Sequence, residues 1–136
     1  MSNTCSISMP KFSVGIDCED IQRWRTKLAN LGTGPQQKLF TKREHQYCNS
    51  FNDPAPHYAV RWCAKEALLK AAAPYYKLDL RKIEVANNKD GTPYFIINEP
   101  GFNKLNLIVS VSLSHSSSVG MAVAILTSSM LNSYKE

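Results

Sequence analysis

No stretch of the 136-residue sequence stays apolar long enough to span a membrane. Residues 1–10 carry no charged segment followed by an apolar core, so no secretion signal is expected. Cysteine is sparse. Cys5, Cys18, Cys48 and Cys63 are widely spaced, no two stand as C-x-x-C, and no Cys/His group has zinc-site spacing. That pattern excludes a zinc module and points to reduced thiols in a cytoplasmic protein. Internal repeats, low-complexity tracts and interdomain linkers are absent as well. The length predicts one domain over residues 1–136, large enough for a core without staples, with polar, flexible tails at 1–10 and 127–136.

Acids are also missing locally. The formal charge is +5, and between Ile21 and Arg43 there are six basic residues (Arg23, Arg25, Lys27, Lys38, Lys42 and Arg43) and no acidic one. A solvated face of mixed charge rarely reads that way. The patch suits an acidic partner: nucleic acid, a phosphorylated ligand or an acidic protein.

The chain is organised around Arg61-Trp-Cys-Ala-Lys-Glu-Ala-Leu-Leu-Lys70, the middle of a predicted helix. Pro56 suits its first turn and Pro74 ends it, after three alanines that favour helix. At ~100° per residue, Ala59, Trp62, Leu69 and Ala73 form one stripe, with Glu66 in its middle. Val60, Ala64, Ala67 and Ala71 make the opposite face apolar too, so the helix should be buried. A Glu66–Lys70 pair at i, i+4 is the plain explanation of this carboxylate. Burial favours a second one, that Glu66 serves a site.

The remaining elements follow in order. Phe12 to Ile16 reads as a strand reaching Asp17. Asp20 can cap a helix carrying Ile21, Trp24, Leu28 and Leu31, with Gly32 as its stop. Thr41-x-x-Glu44 has the form of a capping box opening a helix to about Ser50. Lys82 to Ala86 and Pro93 to Ile97 alternate around Asn88-Lys-Asp-Gly91, a hairpin pattern. Pro100-Gly101 reads as a turn. Leu107 to Leu113 and Val119 to Leu126 read as strands around a polar turn at 114–118. One strand, three helices and a run of antiparallel strands make an α+β domain.

Chemistry could sit in three places. Asp17 ends a strand beside Glu19 and Asp20; Asp20 is the helix cap, and alternation lets Asp17 and Glu19 face one way. Glu66 has Lys65 and Lys70 beside it, and Ser112-Leu-Ser-His115-Ser116 lies at a strand-to-turn boundary. Asp17 and Glu66, with Glu19, have the chemistry of a magnesium site that completes its shell with water and phosphate oxygens. Lys70 and His115 could neutralise phosphate, a combination suited to phosphoryl transfer.

Val14-Gly-Ile-Asp17, Thr41-x-x-Glu44, Arg61-Trp-Cys-Ala-Lys65-Glu66-Ala-x-x-Lys70, Asp90-Gly-Thr-Pro93-Tyr and Ser112-Leu-Ser-His115-Ser116 together resemble the 4′-phosphopantetheinyl transferases. Their order is that of the short holo-acyl-carrier-protein synthase branch, over about Ser13 to Ile125. The resemblance implies an antiparallel sheet packed against a long buried helix and shorter helices. It implies transfer of the phosphopantetheine arm of coenzyme A to a serine of an apo acyl carrier protein or related carrier domain, releasing adenosine 3′,5′-bisphosphate. Asp17 and Glu66 look like the magnesium ligands, and Glu66 or a water on the metal would take the serine proton. Lys70 looks like a pyrophosphate contact that could protonate the leaving oxygen. Lys65, Arg61 and His115 resemble nucleotide or phosphate contacts, and Pro93 a residue of the adenine pocket. Arg23, with Arg25 and Lys27, sits where short members engage the acidic carrier.

Two features depart from the short branch. Glu19 matches a third metal ligand of longer, two-lobed transferases, and the Ser114-His115-Ser116 form leans the same way. Short members assemble as trimers with sites between subunits, so a homo-oligomer is expected, a trimer first and a dimer second. The carrier could serve fatty-acid, polyketide or peptide synthesis. Neither a membrane nor a nucleic-acid partner is implied. A small basic nucleic-acid-binding domain is the competing reading of the patch, but it leaves Glu66 and Asp17 unexplained. A serine hydrolase is disfavoured because Ser114 and His115 point to opposite faces of a strand and no G-x-S-x-G elbow is present.

Overall fold

The computed structural model describes residues 11–31 and 38–128. Strand β1 (Phe12–Asp20) leads into helix α1 (Ile21–Leu31). Helices α2 (Lys42–Asn49) and α3 (Ala55–Ala72) follow, then strands β2 (Ile83–Asn87) and β3 (Pro93–Ile97), a short helix α4 (Pro100–Asn103), and strands β4 (Leu107–His115) and β5 (Val119–Ser128). The α+β class is as expected, but the strands divide into two antiparallel sheets: β1-β5-β4, and the β2-β3 hairpin.

Helix α3 lies on the three-stranded sheet because both surfaces are small. Cys63, Ala64, Ala67 and Ala71 are fully buried on the helix, as are Ala122, Ala124 and Leu126 on β5. Gly15 of β1 meets α3 most closely: a Cβ there would stand 1.9 Å from the Ala67 carbonyl oxygen and 2.8 Å from the Ala71 nitrogen. Backbone therefore packs on backbone, which only glycine permits. The stripe that carries Glu66 is fully buried only at Ala59. Trp62, Glu66 and Leu69 are half-buried and Ala73 is exposed, whereas the opposite face of small residues meets the sheet. The size of those residues, not their hydropathy, decides which side goes inward.

A second cluster ties α1 and α2 to the start of α3. Trp24 stacks parallel to Tyr58 with centroids 6.4 Å apart, and Phe40 meets both edge-on. Trp24 is core as expected, and Trp62 packs against the same cluster. Asp20 caps α1 by accepting from the Gln22 N–H at 2.9 Å, and Thr41 and Glu44 form the expected reciprocal capping box.

Several element ends differ from the pattern reading. β1 continues through the acids to Asp20, because β5 pairs with it as far as Val119. Ser114 and His115 belong to β4, and Pro100-Gly101 opens α4 instead of a bare turn. Thr127 and Ser128, expected in a tail, extend β5, where the Ser128 N–H donates to the Lys11 carbonyl at 2.9 Å. Gly32 and the expected tails at 1–10 and 129–136 lie outside the described residues.

Candidate active site

The alternation of β1 turns Gly15, Asp17 and Glu19 toward α3 and Phe12, Val14, Ile16 and Cys18 outward. The tight Gly15 contact then brings Asp17 against the Glu66 side of α3. Lys70, one turn after Glu66, donates to the Ile16 carbonyl at 2.9 Å and reaches Asp17 Oδ1 at 3.3 Å. Asp17 Oδ2 is buried and has no hydrogen-bond partner. Burial, and then the negative charge of Asp17, raise the Glu66 carboxyl above the usual carboxylate range; Lys70 opposes this and Glu19 adds to it. The Cys63 thiol is pushed up by burial first and then by Asp17 and Glu19. Asp17, Glu19 and Glu66 thus share one electronegative neighbourhood beside the helix.

This donor set fits a magnesium ion. The candidate ligands are carboxylate oxygens, one of them buried and unsatisfied, and a divalent cation would relieve the Asp17–Glu66 repulsion. Two carboxylates suffice, since magnesium keeps several waters and takes phosphate oxygens. Glu19 is engaged by a neighbour of its own: its Oε1 accepts the Trp24 indole N–H at 2.8 Å. Among the described residues, no three His, Cys, Asp or Glu side chains are gathered closely enough to hold a metal.

Lys65 does not face these acids. Its ammonium is fully buried, 2.7 Å from Glu44 Oε1 and 2.6 Å from the Leu39 carbonyl. Burial lowers its pKa and Glu44 opposes the shift. Glu44 also accepts the Thr41 and Val85 N–H groups, each at 2.8 Å. Lys65 therefore joins α2, α3 and β2 and cannot meet a phosphate here, which corrects the expectation from its motif. The capping box betrayed only the local half of this network.

Arg61 reaches the β2-β3 hairpin that carries Pro93, and His115 ends β4. Arg61 is buried, lies 3.9 Å from the Tyr47 ring centroid, and donates to Asn87, the β-partner of Pro93. His115 ends β4 in register with Gly120 and Glu19, so its Cα is about 10 Å from that of Glu19 at two strand spacings. His57, for which the sequence offered no reading, approaches His115 with ring centroids 6.2 Å apart. No helical period signals that meeting, because it joins α3 to a strand end 58 positions later.

On α1, Arg23 is exposed and makes no ion pair among the described residues. Arg25 is bound to Asp53 at 2.7 Å, and Lys27 lies 5.0 Å from the Trp24 ring centroid. A cavity of about 820 Å³ opens between α1, α2 and α3, with Leu28, Phe40, His45 and Tyr58 in its wall. Asp17 and Glu66 do not line it, so its size is no guide to the chemistry.

Comparison with known proteins bears on this arrangement of sheet, helix and acids. A family profile described as the 4′-phosphopantetheinyl transferase superfamily matches residues 13–124. The holo-[acyl-carrier-protein] synthase of Thermodesulfovibrio yellowstonii is 37% identical over 114 residues, covering 84% of this chain and 96% of that one. That of Aquifex aeolicus is 36% identical over 115 residues, covering 82% and 94%. The crystal structure of a Bacillus anthracis holo-(acyl-carrier-protein) synthase in complex with CoA (3′,5′-ADP) superposes with a TM-score of 0.68 at 26% identity, over 86% of this chain and 96% of that one. The match spans β1 with Asp17, the whole of α3 with Glu66, and β4 with His115, and on that ground the chain belongs to the 4′-phosphopantetheinyl transferase superfamily.

Proposed function

We propose that this protein transfers the 4′-phosphopantetheine arm of coenzyme A to a serine hydroxyl of an apo acyl carrier protein or a related carrier domain. The observation that carries the reading is the buried, unpartnered Asp17 Oδ2 beside a Glu66 whose carboxyl is raised by burial and by Asp17. Asp17 and Glu66 would hold Mg2+, which supplies charge neutralisation to the diphosphate of coenzyme A. The serine oxygen bonds to the phosphorus that carries the pantetheine arm, and the bond from that phosphorus to the bridging oxygen breaks. Adenosine 3′,5′-bisphosphate leaves. Glu66 accepts the serine proton. Lys70, half-exposed beside Asp17, neutralises the departing phosphate and can give it a proton.

The same reading assigns Arg23 to carrier docking, since its charge is unpaired among the described residues while Arg25 and Lys27 are engaged. That engagement also weakens the nucleic-acid alternative. A homo-oligomer is supported by the outer sheet face, where Phe12, Val14 and Ile16 are 65%, 56% and 57% exposed. Such a contiguous apolar surface favours a second copy. Acids on the β1 edge and His115 on the β4 edge could then meet across a subunit boundary, in a trimer or a dimer. Among the described residues, no helix is long and apolar enough to cross a membrane. The test is to mix the protein with Mg2+, coenzyme A and a panel of apo carriers from fatty-acid, polyketide and peptide synthesis, and weigh the carriers by mass spectrometry. A serine-linked arm that forms only with metal supports the reading. No modification of any carrier overturns it.

A further inference from the structure

We propose that the cavity between α1, α2 and α3 is a binding site for a straight-chain fatty acid, with the apolar chain inside and the carboxylate at the mouth on Lys38. The site goes beyond the transfer chemistry: Asp17 and Glu66 do not line it, and it would fill without metal or coenzyme A.

The volume of about 820 Å³ suits such a guest, since proteins hold small organic ligands in cavities of roughly 300–1,000 Å³. Phe40, Ala55 and Tyr58 are its buried side, and Leu28, Ala29 and Pro54 form the more exposed wall around it. The rings on the buried side are already taken up with one another. Trp24 stacks on Tyr58 with planes 3° apart, and Phe40 meets Trp24 and Tyr58 edge-on at 5.9 and 5.2 Å. The Tyr58 hydroxyl is engaged too, 2.7 Å from His45 Nδ1 and donating to Asn49 Oδ1 at 3.2 Å. What is left for a guest is carbon surface with few hydrogen-bonding groups. That surface fits a flexible alkyl chain, which gains by leaving water, better than a flat base or a sugar.

The charges at the mouth select the head group. Arg25, Asp53 and Lys38 also line the cavity. Arg25 and Asp53 close on each other through contacts of 2.7 and 3.3 Å, so their charges cancel. Lys38 is exposed and forms no ion pair among the described residues. One uncompensated positive charge beside an apolar cavity complements a single carboxylate at the end of a chain.

Octanoate, decanoate and decyltrimethylammonium, titrated below their micelle-forming concentrations and without magnesium or coenzyme A, test the site. Trp24 and Trp62 are the only tryptophans, and both belong to the aromatic cluster behind the cavity. Their fluorescence should therefore report filling, while calorimetry gives the stoichiometry. Decanoate should bind once per chain and about tenfold more tightly than octanoate, because two more methylenes leave water. Decyltrimethylammonium, with the same chain and the opposite charge, should bind about tenfold more weakly than decanoate. Lys38→Gln should weaken decanoate binding by about fivefold, and Lys38→Arg should keep it. Leu28→Glu puts a carboxylate into the wall and should abolish binding, with near-ultraviolet dichroism confirming the fold. The proposal is overturned by no saturable binding of decanoate, by equal binding of the cation, or by an affinity for decanoate that Lys38→Gln and Leu28→Glu both leave unchanged.

Discussion

Lys65 Nζ stands 2.7 Å from Glu44 Oε1, and neither side chain has any solvent exposure. Removing one member of such a pair strands the other in the core. Lys65→Met should cost about 3–5 kcal/mol. Lys65→Met with Glu44→Gln should cost less than the single change, because no uncompensated charge remains. Urea denaturation of the three proteins measures both. A loss below ~1 kcal/mol for Lys65→Met would show that the ammonium is not buried as described.

Glu66→Gln removes one of the two carboxylate charges proposed to hold magnesium while preserving the shape of the side chain. Far- and near-ultraviolet dichroism should be unchanged, and magnesium-dependent transfer should fall by about 10²–10³-fold. Near-normal turnover would take Glu66 out of the metal site.

Glu19 is held by the Trp24 indole, so Glu19→Ala should act mainly on stability. The loss of that bond should cost on the order of 1 kcal/mol, seen as a lower thermal midpoint. Magnesium affinity, read by calorimetry with coenzyme A present, should change far less than in Glu66→Gln. A drop equal to that of Glu66→Gln would make Glu19 a third ligand.

Arg23→Glu should raise the KM for the carrier well above its effect on the KM for coenzyme A. The defect should shrink as salt is added, because a rim charge acts mostly through encounter. Equal effects on both substrates would remove Arg23 from docking.

What could be read beforehand was whatever is local. The Thr41–Glu44 capping box, the turn at Asn88–Gly91 and the proline-bounded α3 depend on residues within a few positions of one another. The Asp17–Lys70 approach, across 53 positions, leaves no periodic signal; it was reachable only through the chemistry of a shared metal and phosphate site and through the family resemblance. Lys65 misled because its neighbour Glu66 belongs to a site while its own side chain points the other way around the helix, to a partner 21 positions earlier. Both faces of α3 read as apolar, and hydropathy carries no information about which face is small enough to lie on a sheet. The pairing of His57 with His115 leaves no periodic trace at all.

With Asp17 and Glu66 as the proposed magnesium ligands, the contact of Gly15 with the Ala67 carbonyl bears on which ion would be selected. With no side chain between strand and helix, the distance from Asp17 to Glu66 is ruled by main-chain thickness, a dimension that repacking elsewhere hardly alters. Gly15→Ala inserts one carbon into that seam and should pry the two acids apart. Magnesium, small and rigid in its demands, would be the first to suffer, and larger manganese or calcium should bind the altered protein comparatively better. On that proposal, ion choice is written into an absent methyl group.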